Sequence, residues 1–427
     1  MSKNTSPVGA YLDIDYIVKI CKDNNVEAVH PGYGFLSENE KFAAALERNG
    51  IKFVGPTVEN LKQFGDKTSA KELAIAMKVP VIAGSDDAFP SWVEAKDWIR
   101  ANSTYPVIVK AAMGGGGRGI RVVPSEEDLE GQFIVASNEA KNAFGDGRCF
   151  IEKYVDKPRH IEVQCLGDGT GHVVHIWDRD CSVQRRHQKV VETAPAMDLD
   201  PHTRQAMLDD AVRLLSSAKY RAAGTVEFLV DKSGNRFFME VNPRVQVEHT
   251  VREEISGIDI VQSQILIASG KTLQELGLEQ HLIPEPQGVA MQCRVTTEDP
   301  SQNFRPDTGT IDVFRMPGGM GIRLVDDGPG FPGAKITPHY DSPLLVKITA
   351  KARNRQDAAA KLVRALKEFR VRGVTTNKSF MLHVLQNEEF LTGYVDTGFI
   401  AANPQLLAPL KEKDRAHPET PSLFGRR

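Results

Sequence analysis

Two glutamates in one short stretch are the first residues whose placement suggests chemistry. The run Gly224-Thr-Val-Glu227-Phe-Leu-Val230 and the run Arg236-Phe-Phe-Met-Glu240-Val-Asn242 alternate in the manner of strands, and Asp231-Lys-Ser-Gly-Asn235 between them is rich in turn formers. A turn centred between Ser233 and Gly234 sets Glu227 directly opposite Glu240. Carboxylates facing each other across a hairpin lie about 4.5 to 5.5 Å apart at Cβ and repel. A divalent cation removes that repulsion, and magnesium favours oxygen ligands with nucleotide phosphates alongside. Glu227, Glu240 and Asn242 are therefore the candidate metal ligands of an MgATP platform, with manganese as an equivalent ion. A solvated sheet face suits single charges better than a pair flanked by Phe228, Leu229, Phe237 and Phe238. Carboxylate spacing alone also fits a glycosidase pair, which nothing else in the chain supports.

A second feature binds anions. In Lys110-Ala-Ala-Met-Gly-Gly115-Gly116-Gly117-Arg-Gly119 a lysine ends an apolar strand and five glycines follow within six positions. Such a loop lets backbone N–H groups close on phosphate oxygens. The order of a Walker motif is absent. A plain linker of this length would carry serines and would not join two apolar strands. Downstream, Arg244, Gln246 and Glu248 occupy alternate positions, which share a face if the segment is extended, and pair a cation with a carboxylate base. The run from Arg179 to Lys189 supplies further donors, a meaning it has only beside the glycine loop and the carboxylates. His172 and His175 would face opposite sides of a strand and are read as structural. Ala76-Met-Lys78 resembles the setting of a biotinylated lysine but ends a helical pattern, so it is read as helix.

These groups need a scaffold. The opening alternates helical patterns (16–22, 39–48) with short apolar strands (28–30, 52–55), which is α/β punctuation. Residues 79–90 break the pattern, and the strand, glycine loop and strand that follow read as a small inserted lid. Longer strands begin near residue 150, with helices at 201–218 and 253–269. A mixed sheet with a late helix at 355–369 completes the folded part, and 402–427 reads as a linker or frayed end. The chain has 427 residues, 41% hydrophobic and 26% charged, enough for two or three packed modules. A formal net charge of -3 argues against nucleic-acid binding by bulk electrostatics. Five scattered cysteines without a C-x-x-C spacing suit a reducing compartment. No apolar stretch of membrane-spanning length or signal peptide is present, which suggests the cytoplasm or the mitochondrial matrix.

Taken in order, the segments His30-Pro-Gly-Tyr-Gly-Phe-Leu-Ser-Glu-Asn39, Gly65-Asp-Lys67, the glycine loop, Arg159-His-Ile-Glu-Val-Gln164, Arg179 to Lys189, Glu240 to His249 and Cys293-Arg294 resemble the biotin carboxylase family of the ATP-grasp superfamily. The likeness runs from about residue 8 to about 400. It implies α/β and α+β architecture: a Rossmann-like N-terminal domain (1–66) that starts about fifty residues into the family pattern, an ATP-grasp region (67–285) with a glycine-loop lid (about 82–154), a mixed-sheet C-terminal domain (286–400) and a tail (401–427). An opening sheet that lacks strands would leave an edge and apolar surface exposed. The resemblance further implies ATP contacts from Lys67, Lys110, Gly115, Gly116, Gly117, Glu152, Lys153, His160, Gln184 and His187. It implies bicarbonate contacts from Lys189, Arg244, Gln246 and Val247, with Glu248 as general base. Arg294 would stabilise the enolate of biotin. Segments such as Gln292-Cys-Arg-Val-Thr-Thr-Glu-Asp-Pro300 and Glu368-Phe-Arg-Val-Arg-Gly-Val-Thr-Thr-Asn377 resemble the branch that carboxylates pyruvate, ahead of the acyl-CoA and urea branches. An inactive ATP-binding fragment is the reading from another class. The partners implied are a biotinylated carrier domain, a carboxyltransferase domain and a second copy of the chain. Pro343 departs from the family pattern.

Overall fold

The computed structural model describes residues 8–112, 119–185, 188–326, 330–337 and 344–408. Gly115, Gly116, Gly117, His187, Pro343 and most of the tail lie outside the described residues.

An eight-stranded antiparallel sheet dominates the molecule. Its order is Arg236–Asn242, Arg221–Val230, Arg159–Asp168, Val173–Arg185, Gln188–Ala194, Val289–Thr296, Leu344–Ala352 and Ile322–Asp326. The first five strands belong to the central region and the last three to the C-terminal region, so one hydrogen-bonded surface crosses from one to the other. The join is the pairing of Val191–Ala194 with Ala290–Cys293. Two cores flank it. Helix Pro201–Ser217 packs Leu208, Leu214 and Leu215 with Ile161, Val163 and Phe228. Helix Arg355–Glu368 buries Leu362 and Leu366 with Ile348, Met291 and Phe369.

The lid is a three-stranded sheet, Ile120–Val123, Val107–Ala111 and Cys149–Lys153, with helices Trp92–Asn102 and Glu126–Phe144 packed around Val107, Val109, Leu129 and Phe133. The N-terminal region holds helices Ile14–Asp23, Glu40–Arg48 and Val58–Gly65 around Phe42, Leu46, Phe53 and Leu61. Its sheet has two parallel strands, Ala28–Val29 and Lys52–Phe53. Tyr11 and Phe35 stack at 5.0 Å and are about half exposed.

Two sequence expectations are corrected. The helix expected over 253–269 is two helices, His249–Ser256 and Ile260–Ala268. Gly257, at φ +72°, ends the first, and Asp259 caps the second by accepting from the Gln262 N–H. Residues 243–248 are not extended either. The Arg244 N–H bonds the Asn242 carbonyl, the His249 N–H bonds the Gln246 carbonyl, and Glu248 occupies the N-cap of the helix. The alternation expected of an extended segment is therefore absent at Arg244, Gln246 and Glu248.

Candidate active site

The site begins as a row across four strands. Arg179, Glu162, Glu227 and Glu240 stand directly opposite one another in successive pairings. Directly paired residues project to the same side, so three carboxylates and one guanidinium line up on one face. The Glu227–Glu240 pairing expected from the sequence is present, though the hairpin reaches it differently. Asp231 and Asn235 close the turn, Leu229 pairs with Phe237, and a bulge at Met239 shifts the register by one residue to bring Glu240 opposite Glu227.

Cations arrive from elsewhere in the chain to neutralise the row. Lys189, from the neighbouring strand, sets its ammonium 2.9 Å from Glu227 and 2.8 Å from Glu248, and also pairs with Glu162. Fully buried Arg179 donates to Glu162 at 2.7 Å, to Gln164 at 2.8 Å, to Thr225 at 3.0 Å and to Gln246 at 2.8 Å. Lys67, at the start of helix Lys67–Ala76, lies 3.0 Å from Glu240. Arg294 bridges two acids, with Nε 2.6 Å from Glu192 and Nη2 2.7 Å from Glu248. His160 Nε2 lies 2.9 Å from Glu227 without the alignment of a hydrogen bond, and Gln184 lies 2.6 Å from the other ring nitrogen.

Charge states follow from this packing. Burial alone would push Glu248 up, but the charges of Lys189, Arg294 and Arg179 outweigh it and hold the carboxyl well below the usual carboxylate range. Burial is likewise outweighed at Glu227, by Lys189 and His160. At Glu162 and Glu192 burial prevails over the neighbouring cations, and both carboxyls are pushed up. At Lys189 burial is opposed by Glu162, Glu227 and Glu248, which keep the ammonium charged.

These side chains open onto a cleft of about 1170 Å³ between the central sheet and the lid. Lys67, Lys110, Glu152, Lys153, His160, Gln184, Lys189, Glu227, Glu240, Asn242, Arg244, Gln246, Val247, Glu248 and Arg294 all line it. Every expected site residue that lies among the described residues is thus on one cavity. They fall into two groups. Lys110, Glu152 and Lys153 line the lid side, with the Lys110 ammonium 3.5 Å from Glu152. Glu227 and Glu240 of the acid row, with Lys189, Gln246, Glu248 and Arg294, form the floor. Arg244 stands apart from Lys189, its guanidinium on Glu38 of the N-terminal region and 3.1 Å from the Asn242 side-chain oxygen.

Sequence reasoning missed four residues. Glu162 lay within a quoted motif without a role, Arg179 was read only as one donor of a basic run, and Glu192 was not singled out. Lys71, one helical turn beyond Lys67 and 3.9 Å from Glu152, adds a cation to the cleft that i,i+4 spacing would have revealed.

The donor set fits a hard divalent cation. Glu227 and Glu240 are directly opposed, and the Asn242 amide nitrogen donates to Glu227 at 2.8 Å while its oxygen accepts from Arg244 at 3.1 Å, so two carboxylates and one side-chain amide sit together beside Lys67 and Lys189. Lys67 and Lys189 hold these carboxylates at the positions a metal ion would contest.

Comparison with known proteins places this architecture. Residues 2–61 match the biotin carboxylase N-terminal domain, residues 66–276 the ATP-binding domain of the carbamoyl-phosphate synthase L chain, and residues 292–402 the biotin carboxylase C-terminal domain. The biotin carboxylase domain of the Hydrogenobacter thermophilus 2-oxoglutarate carboxylase, solved as a dimer with MgADP, ADP and bicarbonate, superposes with a TM-score of 0.90 at 39% identity, over 96% of this chain and 88% of that one. The Campylobacter jejuni biotin carboxylase superposes at 0.86 with 42% identity, over 92% and 86%. The chain belongs to the biotin carboxylase family. Among full-length relatives it is 53% identical to the human mitochondrial pyruvate carboxylase over 418 residues, and 53% identical to the Aspergillus terreus pyruvate carboxylase over 411. It spans 35% and 34% of their lengths. Among the described residues no helix is long and apolar enough to cross a membrane.

Proposed function

We propose that this chain carries out ATP-dependent carboxylation of biotin by bicarbonate, the first half-reaction of a pyruvate carboxylase. The observation that carries the reading is the Lys189–Glu248–Arg294 relay on the floor of the cleft: a carboxylate base held between a cation suited to bicarbonate and a cation suited to biotin, beside the paired acids Glu227 and Glu240. ATP enters beneath the lid, contacted by Lys67, Lys110, Glu152, Lys153, His160 and Gln184, with Gly115 to Gly117 and His187 assigned by resemblance. Glu227, Glu240 and Asn242 hold magnesium, which supplies charge neutralisation at the phosphates.

Bicarbonate sits against Lys189, Arg244, Gln246 and Val247. As it draws Lys189 toward itself, Glu248 loses part of the positive field that suppresses its basicity and takes the bicarbonate proton. A bicarbonate oxygen then bonds to the γ-phosphorus, the bond to the ADP oxygen breaks, and carboxyphosphate forms. It splits into carbon dioxide and phosphate. The phosphate accepts the ureido N–H proton of biotin, Arg294 stabilises the enolate, and the ureido nitrogen bonds to carbon dioxide. Positioning and charge placement supply the acceleration.

Biotin arrives on a carrier domain, and a carboxyltransferase domain passes the carboxyl group to pyruvate. A second copy of the chain is the proposed assembly partner, as in the Hydrogenobacter dimer. Cytoplasm or mitochondrial matrix is the proposed compartment; the five free, buried cysteines and the mitochondrial human relative support it. The test is phosphate release from MgATP, with and without bicarbonate and free biotin. Biotin should stimulate bicarbonate-dependent release, and Glu248→Gln should lower it about a hundredfold or more while ATP still binds. Release indifferent to bicarbonate and biotin would sink the reading.

A further inference from the structure

Glu192, like Glu162, is a fully buried acid of this cluster that does not line the cleft. It sits in strand Gln188–Ala194 directly opposite Gln292 at the junction between the two halves of the great sheet, with no exposed surface. One carboxylate oxygen accepts from Arg294 Nε at 2.6 Å, and the other from Gln292 Nε2 at 3.1 Å. Gln292 is itself oriented. Its oxygen accepts from the Thr250 hydroxyl at 2.6 Å, and Thr250 also meets the Thr349 hydroxyl at 2.8 Å. With the Gln292 oxygen so engaged, only its amino group faces position 192. Two donors, one a guanidinium, therefore converge on this side chain, and an acceptor-only group is what satisfies both.

Arg294 has a flat, rigid fork, so fixing Nε against Glu192 fixes the plane in which its Nη groups lie. Nη2 then meets Glu248 at 2.7 Å, and Glu248 is the N-cap of the same helix that carries Thr250. We infer that Glu192 is a positioning residue, which sets the guanidinium of Arg294 for the biotin step by acting through that side chain and touching no substrate. This rests on the biotin carboxylase reading above. A glutamine at 192 would turn either its amino group toward Gln292 Nε2 or toward Arg294 Nε, and one donor would face another in a dry site.

The test is a double-mutant cycle on the full chain, read as phosphate release with bicarbonate, with and without saturating free biotin. Glu192→Gln should lower the biotin-stimulated increment roughly tenfold, well beyond its effect on the biotin-independent rate. In an Arg294→Lys background, where the fork is gone, the same substitution should change the increment by less than about twofold. Equal losses in both rates, or the same loss in both backgrounds, would show a merely structural role and overturn the assignment. If Glu192→Gln does not fold, Gln292→Leu removes one donor and leaves the ion pair. It should shift the two rates in the same unequal way, and an even loss overturns the inference. Wild-type turnover that biotin does not raise would overturn the carboxylase reading and this assignment together.

Discussion

Glu162 stands directly opposite Glu227 in the central sheet, and the single ammonium of Lys189 reaches both carboxylates. Without that ammonium two acids would face each other across a 4.5 to 5.5 Å gap typical of cross-strand pairs. Lys189 therefore has a structural duty beside its proposed contact with bicarbonate. Lys189→Met should abolish turnover and also lower unfolding stability by about 3 to 5 kcal/mol, because it leaves buried carboxylates uncompensated. Urea unfolding at neutral pH measures this. A Met variant as stable as wild type would mean that Arg179, His160 and Lys67 suffice to neutralise the row.

The opposed pair Glu227 and Glu240 should govern the metal requirement. Glu240→Gln removes one oxygen anion and frees Lys67, which is 3.0 Å away. The magnesium concentration for half-maximal phosphate release should rise roughly tenfold to a hundredfold. An unchanged magnesium titration would remove Glu240 from the ligand set.

Arg244 is anchored by Glu38, a residue of the His30–Asn39 motif more than two hundred positions away. If Arg244 holds bicarbonate, loss of the anchor should weaken substrate binding more than chemistry. Glu38→Gln should raise KM for bicarbonate roughly threefold to tenfold and leave kcat within about twofold. A fall in kcat alone would place Arg244 elsewhere in the reaction.

Acid should destabilise the fold through two buried histidines. Burial, as the largest influence, lowers His175 from 6.5 to about 4, and lowers His249 likewise with Lys347 adding to the effect. Below about pH 6.5 the unfolded chain binds protons that the folded rings refuse, so stability falls as pH drops from about 6.5 to about 4. Each ring contributes up to about 3 kcal/mol across that window. Glu248 and Glu227, whose folded carboxyls are depressed, add a contribution that is present above about pH 4.5 and lost only at still lower pH. Thermal melts from pH 7.5 to 4.5 should show Tm responding less to acid in His175→Asn than in wild type, with Glu162 and Glu192, whose carboxyls burial pushes up, opposing the histidine contribution in both. Parallel slopes would contradict the assignment.

Local pattern was enough to find the hairpin acids, and it reached the right pair through two offsetting steps. The turn closes between Asp231 and Asn235, half a residue from the centre inferred at Ser233 and Gly234, and the bulge at Met239 makes up the difference. A bulge leaves no period-2 signature beyond a single skipped residue. The partners of those acids were not legible in the same way. Arg179, Glu162 and Glu192 enter the site because strand order brings Glu162 beside Glu227 and Gln292 beside Glu192, and such order is set by sheet topology rather than by any local run. The alternation of Arg244, Gln246 and Glu248 misled about the backbone only: bonds at Asn242 and Gln246 turn the chain there, and the three side chains line one cleft without a strand to carry them. The Glu253–Ser269 pattern hid a break because its apolar periodicity continues across Gly257, which signals a stop only through its backbone.

The family matches end at residue 276 and resume at residue 292, which invites treating the two stretches as interchangeable parts. The strand pairing of Val191–Ala194 with Ala290–Cys293 argues otherwise. A gene cut in that gap would strip a ladder from the middle of the sheet, bare an edge on each product and part Glu192 from Arg294. Chimaeras built from related carboxylases should therefore trade both stretches as a single cassette.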